Sequence, residues 1–129
     1  MRALDTNILV RLFALDDPQQ YEIATELIGE PFIVLPTVLV ELVWVLQTSF
    51  GMKRPEISQK LYEFLGMENS VWPSESNIKW VVDQFHAGAD FADTLHLALA
   101  AEVQATSFAT FDRGIDKIST PPIPIETLA

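Results

Sequence analysis

The chain has 129 residues, 49% of them hydrophobic, with 18 acidic against 8 basic side chains, a formal net charge of −10 and no cysteine. That suffices for one folded domain with a real core. It excludes a disordered chain, a disulfide scaffold, a thiolate zinc site, a thiol nucleophile and a broad cationic surface for nucleic acid.

Taken in chain order, residues 1–5 read as a short buried strand ending at Asp5. Asp5-Thr6-Asn7 then turns into a helix whose apolar face is Ile8, Leu9, Leu12, Phe13 and Leu15. Asp16-Asp17-Pro18 starts a second helix, with Ile23, Leu27 and Ile28 inward and Gly29 near its end. Phe32-Ile33-Val34-Leu35, bounded by prolines, reads as a buried parallel strand. Thr37 is positioned to cap a helix to about Ser49, and Pro55 opens another to Leu65 with Ile57, Leu61, Phe64 and Leu65 inward. Ser70-Val71-Trp72 is a weaker strand. A helix over Ser76 to His86 carries Ile78, Trp80, Val81 and Phe85.

Asp90 caps a helix from Phe91 to Val103, Ser107 to Phe111 is a strand ending near Asp112, and Ile123-Pro124-Ile125 is a last, edge strand. Strands alternating with helices predict an α/β fold with a parallel sheet in a single domain over residues 1–129. The longest apolar stretches are broken by Pro36, Glu41 and Gln47, and the N-terminus lacks the pattern of a signal peptide. With no cysteine, the expected location is the cytoplasm.

Four acids sit in or beside apolar sequence: Asp5, Glu41, Asp93 and Asp112. Burying a lone carboxylate is costly, so such a group protonates, pairs or binds a cation. The chain has few bases to pair with, and scattered carboxylates without cationic partners suit Mg²⁺ or Mn²⁺. In a parallel α/β sheet, ligands gather at the carboxyl ends of strands. Asp5 and Asp112 end strands, while Glu41 and Asp93 lie in the first turns of helices that could open at that edge, so all four can converge. Structural readings stand beside this one. Asp5 also reads as a helix cap, Asp93 as a dipole-favoured acid behind Asp90, Asp112-Arg113-Gly114 as a turn, and Glu41 as the buried partner of Arg11 or another base. The net acidity itself admits either a basic partner or a phosphodiester approached through divalent cations.

Leu4-Asp5-Thr6-Asn7, Val40-Glu41-Leu42, the run from Asp90-Phe91-Ala92-Asp93-Thr94 to Leu95-His96-Leu97-Ala98, and Thr110-Phe111-Asp112-Arg113 occur in one order along the chain. In that order and spacing the sequence resembles PIN-domain proteins, specifically a VapC-type toxin ribonuclease of a VapBC toxin–antitoxin system. The resemblance implies a three-layer α/β/α sandwich around a central, mostly parallel sheet. It implies a metal-dependent endoribonuclease with Asp5, Glu41, Asp93 and Asp112 as catalytic and metal-binding quartet, Mg²⁺ as cofactor with Mn²⁺ able to substitute, and a metal-activated water that hydrolyses RNA. It also implies a cognate VapB-type antitoxin with a basic segment, and a homodimer. The alternative is a catalytically silent PIN-like scaffold that engages a basic protein partner.

Around the quartet, Thr6 and Thr110 resemble hydroxyls that orient a carboxylate or a bound water, and Asn7 and Asp116 are further polar groups near it. Each of Thr6, Thr110 and Asn7 reads equally as a cap or a strand-end hydrogen bond. Asp90 reads as a cap, and His96 as a packing residue. Arg11, Arg113 and Lys117 are the expected phosphate contacts. Trp44, Trp72 and Trp80 read as core or interface rather than as base-stacking platforms. A phosphatase with an aspartate nucleophile fits poorly, because position 7 is Asn where a second Asp belongs.

Overall fold

A computed structural model describes residues 1–128, apart from the side chains of Asp116 and Lys117, so the readings placed on those two side chains lie outside the described residues. In chain order the elements are β1 (Arg2–Ala3), α1 (Thr6–Ala14), α2 (Pro18–Leu27), β2 (Phe32–Ile33), α3 (Pro36–Thr48), α4 (Arg54–Leu65), β3 (Ser70–Val71), α5 (Glu75–His86), α6 (Phe91–Glu102), β4 (Phe108–Thr110), a 3-10 helix (Arg113–Lys117) and β5 (Ile125–Thr127).

The helix starts follow local chemistry. The Asp17 carboxylate accepts from the Gln20 amide at 3.0 Å, and Pro18 takes the first helical position, where a missing N–H costs nothing. Asp90 accepts from the Asp93 amide at 3.0 Å and so starts α6. Thr37 does not cap α3. Pro36, with its backbone angle already helical, moves the start back by two residues, and Leu35 precedes it without a side-chain cap. Leu15 ends α1 in the left-handed conformation at φ 56°.

Every strand pair is parallel. Arg2 faces Phe32 and Phe32 faces Ser70 in a sheet ordered β1-β2-β3, while Phe108 faces Ile125 in a separate β4-β5 ladder. Parallel neighbours need long crossovers: α1–α2 and α3–α4 supply them in the first sheet, the segment with the 3-10 helix supplies the one between β4 and β5, and α5–α6 links the two sheets. This is the expected α/β architecture of helices flanking parallel strands. Pro124 stays outside the last strand; its carbonyl accepts from the Phe108 amide at 2.9 Å, and the ladder begins at Ile125.

One large core joins Leu9 and Phe13 of α1, Phe32 of β2, Leu42 and Leu46 of α3, Leu61 and Phe64 of α4, and Val81 and Phe85 of α5. A smaller one packs Leu97 of α6 against Ile115 and Ile118. Several burial expectations fail at the margins. β1 is exposed rather than buried, and only Leu4 after it is inside. Ile23 is 53% exposed, because α2 turns Ala24 inward instead. Leu15 is exposed, Trp80 is half-buried and Val82 takes the inner place beside Val81. Trp72 belongs to the core, edge-on to Phe64, but Trp44 does not. No helix among the described residues is long and apolar enough to cross a membrane.

α4 and α5 are tied by the Tyr62 hydroxyl, which donates to the Asp83 carboxylate. Burial, that hydrogen bond and the Asp83 charge push the Tyr62 hydroxyl up to about 12. The folded state therefore holds the phenol proton more tightly than the unfolded chain, and this stability is complete below the ordinary tyrosine value. It is lost as pH rises from about 10 to about 12. Tyr62→Phe is expected to cost about 1 kcal/mol at neutral pH and to flatten that alkaline loss, read by denaturant unfolding at a series of pH values.

Candidate metal centre

α6 carries the most constrained of the acids. Asp93, its third residue, is half-buried, and its backbone amide is already held by Asp90. Burial raises the Asp93 pKa first; the charges of Asp90 and Asp112 add to the rise, and His96 opposes it. Asp90, Asp93 and Asp112 are thus gathered close enough to repel one another.

Asp112 is fixed by its own loop. Its carboxylate accepts from the Gly114 amide at 2.8 Å and caps the 3-10 helix, and its amide donates to the Thr110 hydroxyl at 3.0 Å. Thr110 therefore shapes the Asp112 loop, and the turn reading of Asp112 is the one its hydrogen bonds express. Glu41 joins the group through a cleft whose wall it shares with Asp90. α1 packs on α3 and α3 on α6, which sets the helices that carry Asp5, Glu41 and Asp93 side by side. The Asp5 side chain, however, is spent locally: it accepts from the Thr6 amide at 2.7 Å as the cap of α1.

The acids are less buried than their sequence neighbours imply. Asp5, Glu41 and Asp112 are exposed, and Asp93 alone is half-buried. Glu41 lies in the second turn of α3, not the first, on a solvent-facing stripe with Thr37, Trp44 and Thr48. It does not pair with Arg11. Arg11 instead binds Asp16 at 2.9 Å and donates to Gln20, on the α1–α2 side, where Asn7 shares its cleft. Among the described residues the ion pairs are Arg2–Glu30 and Arg11–Asp16, so no site acid is taken by an arginine or lysine. Thr6 is buried below Asp5, Arg113 is exposed beside Asp112, and His96 is exposed and stacked on Phe108 with ring centres 6.3 Å apart.

Arg54 is the residue that sequence reasoning passed over. It lines the cleft that holds Glu41 and Asp90. Its Nη1 donates to the carbonyls of Phe85 and Ala89, each at 2.7 Å, and its guanidinium lies 4.4 Å from the Phe85 ring centre. The one local signal is a basic residue in front of Pro55. Nothing in it points to partners 31 and 35 residues away.

The donor chemistry suits a hard divalent cation: carboxylate oxygens, repelling where Asp90 and Asp112 bear on Asp93, and among the described residues none of them ion-paired to an arginine or lysine. Among the described residues no three acid or imidazole groups are drawn into a finished ligand set. Mg²⁺ does not require one, since it is usually held by one or two carboxylates, with waters and substrate phosphate completing the octahedron. An open group around Asp93 fits that mode.

A sequence model of the PIN domain matches residues 2–121, which takes in all four acids and every element but β5. The chain belongs to the PIN domain family. No curated protein matches it closely enough to be named beside it. PIN domains are typically nucleases that use divalent metal ions and act on nucleic acid. In this PIN domain the matched segment holds Asp90 and Asp112 near enough for their charges to bear on Asp93, and Glu41 shares a cleft with Asp90.

Proposed function

We propose that this chain is a single PIN-like domain acting as a Mg²⁺-dependent endoribonuclease, with Mn²⁺ able to substitute, and that it is the VapC-type toxin of a toxin–antitoxin pair. The observation that carries the reading is the crowding of Asp90 and Asp112 on half-buried Asp93, none of them ion-paired to an arginine or lysine among the described residues. A site that stores carboxylate repulsion is relieved by a divalent cation, and a phosphodiester then has a reason to approach a chain of net charge −10.

Asp5, Glu41, Asp93 and Asp112 would hold the ion. A bound divalent ion supplies Lewis acidity to the scissile phosphate and lowers the pKa of a water, so that no nucleophile from the protein is needed. The chain's own part is positioning. The Gly114 amide and the Thr110 hydroxyl fix the Asp112 loop, and Asp90 fixes the first turn of α6 beneath Asp93. The same acidic face suits a VapB-type antitoxin whose basic segment places an arginine among the carboxylates. Exposed Ile23, Leu15 and Tyr21 on and around α2 suit a homodimer or an antitoxin helix. A cytoplasmic setting agrees with the absence of cysteine.

The test is cleavage of a panel of structured RNAs by the purified chain, free of other proteins, with Mg²⁺, with Mn²⁺ and with EDTA. Cutting is expected with either ion, to vanish with EDTA and to return on re-addition of Mg²⁺. An uncut panel under all conditions rejects the nuclease and leaves the silent scaffold as the better reading.

A further inference from the structure

Between α3 and the start of α6 lies a cleft of about 300 Å³. Glu41 and Asp90 stand on its wall, so it borders the candidate metal centre at these two acids. Trp44 and Gln47 of α3, Arg54 of α4 and Phe91 of α6 complete the part that matters. Trp44 is 63% exposed, on a helix whose Leu39, Leu42, Val43 and Leu46 are all buried. Arg54 is the one cation among the lining residues, and it is held rigidly. A guanidinium has five N–H donors, and its two short bonds to Phe85 and Ala89 use only Nη1. Among the described residues no acceptor takes Nε or Nη2.

We propose that this cleft receives one unpaired nucleobase of an RNA, next to the phosphate that is cut. The proposal rests on the nuclease reading of the adjoining acids. Sequence-selective recognition of RNA works on unpaired bases that stack on an aromatic ring and are hydrogen-bonded along their edges. Trp44 offers the stacking face, the Gln47 amide a donor and an acceptor for the base edge, and Arg54 a fixed positive charge for the flanking phosphate or a base carbonyl. A protein partner is a poorer occupant, since a stable protein interface covers about 800 Å² on each side and the polar groups here converge on a small concavity. The cleft also gives an acidic nuclease a way to choose its RNA without a basic track: one base read locally, beside the metal.

The experiment is a titration of the whole chain with each of the four 5′-nucleoside monophosphates in Mg²⁺, followed by tryptophan fluorescence. One base is expected to bind with clear preference and to quench emission. Trp44→Ala should remove the quench and weaken binding about tenfold or more, Trp44→Phe should recover most of the affinity, and Gln47→Ala should level the preference among bases. Affinities that ignore Trp44→Ala, or no saturable binding of any of the four, overturn the proposal. So does a wild-type dimer that Trp44→Ala turns into a monomer, which assigns the face to a second copy of the chain. These titrations need no RNA cleavage, so an uncut RNA panel counts against the nuclease alone. Mg²⁺-dependent cutting at unaltered positions by Trp44→Ala counts against the cleft alone.

Discussion

Asp93→Asn is expected to lower Mg²⁺-dependent RNA cleavage by about 10³-fold, a loss of about 4 kcal/mol of transition-state stabilisation. Its fold should survive and be more stable at neutral pH without metal. The sign follows from the cause of the shift. Burial, then Asp90, then Asp112 raise the Asp93 pKa, so the folded state binds its proton more tightly than the unfolded chain does. Stability falls as pH rises through the window between the ordinary aspartate value and the raised one, and the penalty persists above it. Asparagine removes that penalty and keeps the shape. Thermal unfolding of both proteins in EDTA, from acid to neutral pH, should show the wild type losing ground to the variant across that window. A variant that cleaves within tenfold of the wild type contradicts the metal centre. At Asp5 the informative change is likewise to Asn. Asp5→Ala removes the cap of α1 at a cost of about 1 kcal/mol and mixes stability with chemistry.

Phe32→Ala is expected to cost about 3–5 kcal/mol, the largest single stability loss among these predictions. Phe32 is fully buried in β2, the middle strand of the three-stranded sheet. Its ring lies 5.6 Å from Phe64, which in turn meets Phe13 at 5.3 Å and Trp72 at 6.3 Å. Truncation leaves a void at the meeting point of β2, α1 and α4, with rigid aromatic neighbours that cannot collapse into it. Whole domains are stable by about 5–15 kcal/mol, so the variant should be near the edge of folding. Urea unfolding should show a lower midpoint with an unchanged slope. A cost under about 1 kcal/mol contradicts the burial of this ring.

Much of the fold was legible because its signals are local. Asp17-Pro18 and Asp90 start helices through contacts that reach no further than three residues. The apolar run at Phe32 to Val34 sits between prolines and becomes the central strand. Of the site, Asp93 and Asp112 were legible as acids at a helix start and just past a strand, and the fold brings Asp112 near enough for its charge to bear on Asp93. The exposure of Glu41 was not. Trp44 and the valines around it make every face of α3 look apolar, so the stripe of Thr37, Glu41, Trp44 and Thr48 cannot be told from a core face by composition. Arg11 looked free for phosphate, but Asp16 and Gln20 claim it once α1 and α2 pack.

By itself, then, the sequence determined the order of strands and helices, the caps of α1, α2 and α6 and the class of the fold. Caps and periodicity act over one turn of chain, and the pattern of apolar residues is enough to express them. Which side of α3 meets solvent, where Arg54 is anchored and how Asp90 and Asp112 bear on Asp93 were decided only by tertiary structure. Those relations join segments tens of residues apart, where burial and charge depend on which surfaces remain open after the core has closed.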